Sequence, residues 1–241
     1  MSRFASRSHA PEIMDDLQCS GEVVHQTLRE LDFINHWLGG NKVTLEGLKL
    51  LLDRQHNLES LHIADLGCGS GEVLKLIHYI FKKSCANIRL IGIDANPNII
   101  AYAKNHCANV ANIQLKAEDI FNPDFQTQSF DIVITTLFLH HFTHDQLVKI
   151  FRSLKSQARI GIVVNDLHRH PLAYYSIKIL TQLFSRSAMV KYDAPLSVLR
   201  GFKKAEIEQV MKEAGIIRYT LSWRWAFRWQ LIIDTRENTE T

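Results

Sequence analysis

The chain has 241 residues, 46% of them hydrophobic and 22% charged, which excludes a disordered, collagenous or disulfide-dense protein and allows a sizeable core. Lys and Arg number 28 against 25 Asp and Glu, so the net charge of +3 is too mild to argue for a nucleic-acid partner. The four cysteines, Cys19, Cys68, Cys85 and Cys107, form no C-x-x-C pair; zinc and redox motifs have no support, and reduced thiols in a cytoplasmic protein are expected. The N-terminus shows no apolar signal core and no run reaches a membrane span, so neither secretion nor stable membrane insertion is expected.

In chain order, residues 1–59 read as a helical segment. Leu28, Leu31, Ile34 and Leu38 recur on one helix face, Gly39-Gly40-Asn41 end that helix, and Thr44 opens a second with Leu45, Leu48, Leu51 and Leu52 apolar. The first dozen residues are expected to be loose. From residue 61 strands and helices alternate: a strand over 61–66, a glycine-rich turn over 67–71, and a helix over 72–82 with Val73, Leu76, Ile77 and Ile80 inward. A strand over 88–93 and a helix over 97–106 follow, then strands at 113–115 and 130–135, a helix over 146–154 and a strand over 160–165. Residues 167–202 are too long for an ordinary connection and read as an inserted helical cap. A helix over 203–214 leads through Gly215 to strands at 216–221 and 227–233, which the short connection makes antiparallel. Repeated strand–helix–strand units imply an α/β sheet, mostly parallel, with helices on both faces.

The strongest motif is Asp65-Leu66-Gly67-Cys68-Gly69-Ser70-Gly71, between a strand and a helix. Its glycines permit a sharp turn and close approach of a ligand to the backbone. The third glycine comes one residue too early for a dinucleotide fingerprint, and the Asp65 carboxylate would repel a pyrophosphate. A nicotinamide dehydrogenase is therefore disfavoured. Asp94 ends the next strand, 23 residues beyond Gly71, where a carboxylate can accept from ribose hydroxyls. Ala117-Glu118-Asp119-Ile120 follows the third strand, Thr135-Thr136-Leu137-Phe138-Leu139-His140-His141-Phe142 the fourth, and Asn165-Asp166-Leu167-His168-Arg169-His170-Pro171 the fifth. Ligands of open α/β sheets sit at such strand ends.

The glycine motif resembles the first motif of class I S-adenosylmethionine-dependent methyltransferases, and the order of elements extends the resemblance over residues 60–235. It implies a Rossmann-like seven-stranded sheet with an antiparallel last strand and S-adenosylmethionine as cofactor. It assigns the cofactor to Asp65, Gly67, Cys68, Gly69 and Gly71, to Asp94 and Ala95 at the ribose, to Asp119 and Ile120 at the adenine, and to Thr136 near the methionine part. Within the family the chain looks closest to the quinone-biosynthesis-like small-molecule enzymes often found in secondary metabolism. No Asp/Asn-Pro-Pro-Tyr motif suggests methylation of a nucleic-acid base.

Methyl transfer to oxygen needs positioning and removal of the acceptor proton, for which histidine is suited near neutral pH. His141 and His168 are the expected bases, with His140 and His170 in reserve; no spacing fixes a metal. Tyr174 and Tyr175 from the cap, with Trp223 and Trp225 near the last turn, are expected to line a pocket for a small aromatic or lipophilic acceptor. A protein or nucleic-acid acceptor, or a cofactor-binding protein without turnover, remain alternatives. Oligomeric state is not legible.

Overall fold

Ile63, Ala64, Leu66, Ile132, Val133 and Ile134 are all sealed from solvent. Strands without a wet face need cover on both sides, the situation of a parallel sheet between helices. The computed structural model, which describes residues 3–53, 60–82 and 87–236, has this sheet. Its strands are β1 (Ser60–Leu66), β2 (Asn87–Asp94), β3 (Ile113–Ala117), β4 (Phe130–Thr136), β5 (Ala158–Leu167), β6 (Tyr219–Arg224) and β7 (Arg228–Asp234). They stand in the order β3-β2-β1-β4-β5-β7-β6. β1 to β5 are mutually parallel, and β7 runs antiparallel to β5 on one side and β6 on the other. The expected seven-stranded Rossmann-like sheet with an antiparallel last strand is therefore present.

The helices are α1 (Glu22–Trp37), α2 (Gly40–Leu52), α3 (Glu72–Phe81), α4 (Pro97–His106), α5 (Pro123–Gln126), α6 (His144–Gln157), α7 (Pro171–Phe184), α8 (Ala188–Arg200) and α9 (Lys204–Glu213). Successive strand residues point to opposite faces. Ile63, Ile132, Ile134 and Val163 meet Leu48 and Leu51 of α2, Leu74 and Ile77 of α3, and Ile100 of α4. Ala64, Val133, Ile162 and Val164 meet Leu147, Phe151 and Leu154 of α6, and Val210 and Met211 of α9. The helical N-terminus thus belongs to the same core. α2 lies so close that a Cβ on Gly47 would stand 2.6 Å from Val163 Cγ1.

Several expectations shift. α2 begins at Gly40 rather than Thr44, because Gly39 alone, at φ +70°, reverses the chain. On α3 the inward residues are Val73, Leu74 and Ile77, while Ile80 is exposed. α6 is longer than expected because Thr143 and Gln146 cap it reciprocally. β6 starts at Tyr219: Ile216 is buried ahead of the strand and Ile217 faces solvent. Within residues 167–202 two packed helices, α7 and α8, follow the end of β5. Cys85 lies outside the described residues; Cys19, Cys68 and Cys107 are free thiols.

The largest correction concerns the N-terminus, which is tied down rather than loose. Arg7 donates to the carbonyls of Arg200 and His140, each at 2.8 Å, and Ser8 N–H to Leu199 O at 3.0 Å. The Asp193 carboxylate accepts from the N–H groups of Ile13 and Met14. All these partners lie more than 130 residues away along the chain, so no local periodicity announces the strap.

Gly47→Leu should force α2 off the sheet and lower unfolding free energy by about 1–3 kcal/mol, the usual cost of overpacking a core. Urea denaturation of the purified variant measures this.

Candidate active site

β1 and β4 are neighbours, yet the helices that follow them, α3 and α6, cover opposite faces of the sheet. A crevice opens at such a reversal, beyond the carboxyl ends of the strands. Gly67 and Gly69 enter it with φ of +69° and +51°. Gly67 has a second reason to be glycine: a Cβ there would fall 2.2 Å from the Phe138 ring. The N–H groups of Gly67 and Cys68 both donate to Ile93 O, which lashes the loop to β2. Gly71 has a different task. It caps α3 at φ +78°, packs beside Cys107, and does not line the cavity.

Asp65 is fully buried under this loop, and its Oδ1 has no hydrogen-bond partner among the described residues. Burial, reinforced by the Asp94 charge, pushes its carboxyl up to about 8. Asp94 sits at the end of β2, where burial raises its carboxyl and the N–H groups of Asn96 and Gly69 partly offset that. Those bonds, at 3.0 and 3.4 Å, leave carboxylate lone pairs free toward the cavity. Asp119 accepts from Phe121 N–H through Oδ1, whereas Glu118 is engaged by Gln128. Asp65, Asp94, Ala95, Asp119, Ile120 and Thr136 all line one cavity with Gly67, Cys68 and Gly69. The Thr136 hydroxyl is fixed by a 2.8 Å hydrogen bond with Thr44 of α2.

The cavity holds about 850 Å³ and continues past the loop beneath the cap. Its far wall includes Ile177 and Leu180 of α7, Val198 of α8, and Trp223 and Trp225 at the β6–β7 turn. That turn is strained, with Ala226 and Phe227 both at positive φ (58° and 56°). Leu137, at the end of β4, is a third such residue and also lines the cavity. Non-glycine residues in this region cost of order 1–3 kcal/mol each and collect at functional sites.

The four expected histidines divide into two pairs. His140 and His141, on the turn after β4, line the cavity. His168 and His170 do not, because Leu167 points inward and the next residue turns away. His168 Nδ1 accepts from Trp223 Nε1 at 3.2 Å, and burial, with help from His170, Arg169 and Lys203, pushes its imidazole down. His170 caps α7 and stacks on Phe227. Among the expected acceptor residues Trp223 and Trp225 reach the cavity. Tyr174 is instead buried against Phe4, and Tyr175 is exposed on the outer face of the cap.

Sequence reasoning missed the strap carboxylates Glu12 and Asp15, and placed Asp166 at the rim without its partner. Asp15 Oδ1 accepts from His141 Nδ1 at 2.6 Å, and Asp166 Oδ1 accepts from His140 Nδ1 at 2.7 Å. Each imidazole therefore has its Nε2 free of that partner. Burial works against ionisation of Asp15, but the bonds from His141 and Arg200 outweigh it and hold the carboxyl well below the usual range. Asp166 is held low in the same way by His140 despite full burial. Glu12 is different: burial pushes it up to about 7 against the pull of His141, Ser197 and Arg200. Glu12, His140 and His141 offer three ligand atoms within 4.8 Å of one another, a set able to hold a divalent cation. Arg200 Nη1, 3.6 Å from Glu12 Oε1, brings a cation of the protein's own to that spot. The Met14-Asp15-Asp16 stretch gave no hint of this, since its role depends on contacts 126 residues away.

Three observations fit S-adenosylmethionine: an orphaned buried carboxylate oxygen on Asp65, a backbone cradle at Gly67–Gly69, and an open carboxylate at Asp94. With the sheet order, they define a class I S-adenosylmethionine-dependent methyltransferase fold, whose cofactor is S-adenosylmethionine. Residues 63–161 match the family model described as a methyltransferase domain. No curated protein matches the chain in sequence. Among solved structures it is similar to human N-acetylserotonin methyltransferase in complex with SAM, at 17% identity and TM-score 0.64, over 96% of this chain and 63% of that one. It is also similar to magnesium protoporphyrin IX methyltransferase from Synechocystis PCC 6803 with bound SAH, at 18% identity and TM-score 0.52, over 98% and 91% of the two chains. A SAM-dependent methyltransferase from Aquifex aeolicus aligns over 86% of this chain and 96% of its own, at 14% identity and TM-score 0.59. At these identities the likeness is one of fold.

Asp94→Ala should weaken S-adenosylhomocysteine binding by about 1.5–3 kcal/mol, the scale of a hydrogen bond to a charged group; calorimetric titration measures it. Asp65 makes a pH prediction for the ligand-free protein. Its folded value of about 8 lies above the ordinary carboxylate range. The folded state therefore holds a proton that the unfolded chain has lost, and stability falls as pH rises toward that value. Melting curves taken between about pH 5 and pH 9 should show a shallower decline for Asp65→Asn than for the parent.

Proposed function

We propose that the protein methylates an oxygen of a small aromatic or lipophilic acceptor, a phenol or quinol by preference. The observation that carries this reading is the continuity of one cavity. It runs from the cofactor carboxylates, past His141, to an apolar chamber walled by Ile177, Leu180, Val198, Trp223 and Trp225. An acceptor ring fits between the tryptophan faces and the aliphatic cap. When bound, the cofactor supplies an electrophilic methyl group on a sulfonium sulfur.

His141 is the base in this proposal. Its Nδ1 is committed to Asp15, which fixes the ring and its tautomer, so a neutral Nε2 takes the proton from the acceptor oxygen. Asp15 then stabilises the imidazolium that forms. Asp15 is itself held by Arg200, so the alignment of the base rests on the strap and α8 together. His140 is almost fully buried between Asp166 and Glu12, which suits it to holding the strap closed rather than to meeting the acceptor. Thr136, tied to Thr44, borders the same chamber near the cofactor loop. The apolar lining keeps water from competing for the methyl group.

The test is transfer from radiolabelled S-adenosylmethionine to a panel of alkylated phenols and quinols, with a histone mixture and total RNA as comparators. Labelled ether products are expected; label in protein or RNA alone would overturn the reading. His141→Ala should lower kcat about 100- to 10,000-fold and leave S-adenosylhomocysteine affinity unchanged. Near-normal turnover in that variant would remove His141 as base.

A further inference from the structure

A helix at a protein surface normally turns a polar face to water. α7 does not. Its inner face gives Ala173, Ile177 and Leu180 to the cavity, yet its outer face carries Leu172, Tyr175, Ile179 and Leu183 at helical spacing, all exposed. Phe184 continues the stripe with 78% of its surface open. The rest of the rim repeats the pattern. Trp37 of α1 is 72% exposed beside Leu38, which lines the cavity, and its ring packs on exposed Phe33. Trp225, 75% exposed, lines the cavity itself.

These residues border one mouth. Glu30 of α1 is bonded to Ser185, and to the N–H groups of Arg186 and Ser187, so α1 meets the α7–α8 turn one helical turn from Phe33. Arg228, just after the β6–β7 turn, donates to Asn35 of α1 at 2.8 Å, which brings Trp225 to the same side. Beyond α1, the segments that form this rim carry charges of one sign. No Asp or Glu occurs between Leu167 and Tyr192 or between Trp223 and Trp229, while Lys178 and Arg186 are exposed beside the stripe. The acids of α1 are engaged: Glu30 as above, Asp32 with Ser70 and Glu22 with Arg29.

We propose that this rim docks on the surface of an anionic lipid bilayer, with the outer face of α7, Phe33, Trp37 and Trp225 entering the interfacial layer. Tryptophan is at home at that depth, and lysine and arginine beside an apolar face add attraction to anionic headgroups. Among the described residues no helix is long and apolar enough to cross a membrane, so the contact is peripheral. Its consequence is a path for a lipophilic acceptor from the bilayer into the cavity without passage through water. The docking itself does not depend on the acceptor proposed above.

Flotation of the full chain with vesicles tests it, with no methyl transfer in the readout. Binding to phosphatidylglycerol–phosphatidylcholine vesicles should exceed binding to pure phosphatidylcholine and weaken with added salt, as surface charge requires. The Ile179→Glu, Leu183→Glu double variant should lose at least about tenfold in vesicle affinity. Both sites are exposed and outside the cavity wall, so S-adenosylhomocysteine binding serves as the check on folding. Lys178→Glu with Arg186→Glu should abolish the preference for the anionic lipid. Absence of vesicle binding by the parent chain, or equal binding by the Ile179/Leu183 variant, would overturn the proposal. So would a parent chain that is dimeric by sedimentation velocity and becomes monomeric on the same substitution.

Discussion

The reversal of strand order between β1 and β4 is the constraint on which the site depends. Parallel strands deliver all their carboxyl ends to one edge, and helices leaving toward opposite faces cannot fill the space between them. Into that space the chain sends the glycine loop from β1, Asp94 from β2, Asp119 from the segment after β3, and the histidine turn from β4. None of these groups is near another in sequence. The Phe138 ring, lying where a Gly67 side chain would be, shows how tightly the β1 and β4 loops share the crevice.

Electrostatics divides the cavity into two ends. At the end that carries the glycine loop, Asp65 and Asp94 are buried carboxyls that burial raises, with His141 pulling Asp94 only weakly the other way. Such a pair is costly alone and is relieved by a ligand bearing donors and positive charge. At the other end two carboxylates, Asp166 and Asp15, are balanced within the protein. Asp166 faces His140, and Asp15 is shared by His141 and Arg200. The second arrangement orders side chains before any ligand arrives. It also joins the strap, the β4 turn and α8 into one network, so loss of any member is felt by the others.

α7 and α8 supply one wall of the cavity. Their inner residues narrow the cavity with aliphatic side chains, and the outer residues of α7 are just as apolar. Burying one face of α7 accounts for its stability as a helix; the exposed stripe is surplus to folding and asks for a contact. Ala226 and Phe227, beside Trp225, take the left-handed φ that a tight hairpin turn demands, here with residues that carry side chains.

The sequence by itself determined the sheet class, the glycine loop and the acidic residue after β2. These are set by short-range physics: strand and helix periods, the φ freedom of glycine, and the fixed spacing of a strand–helix–strand unit. The motif order then carried the cofactor. Tertiary structure alone decided which histidines share the cavity. His140, His141, His168 and His170 look equivalent in a linear reading, but the pleat of β5 turns the second pair behind Trp223 and Phe227. It also decided that Tyr174 packs on Phe4 rather than in the cavity, and that Glu12 and Asp15 back the histidines. Those contacts join residues up to 170 positions apart. Their geometry comes from helix packing and loop closure over the whole core, which leaves no periodic trace in the local sequence.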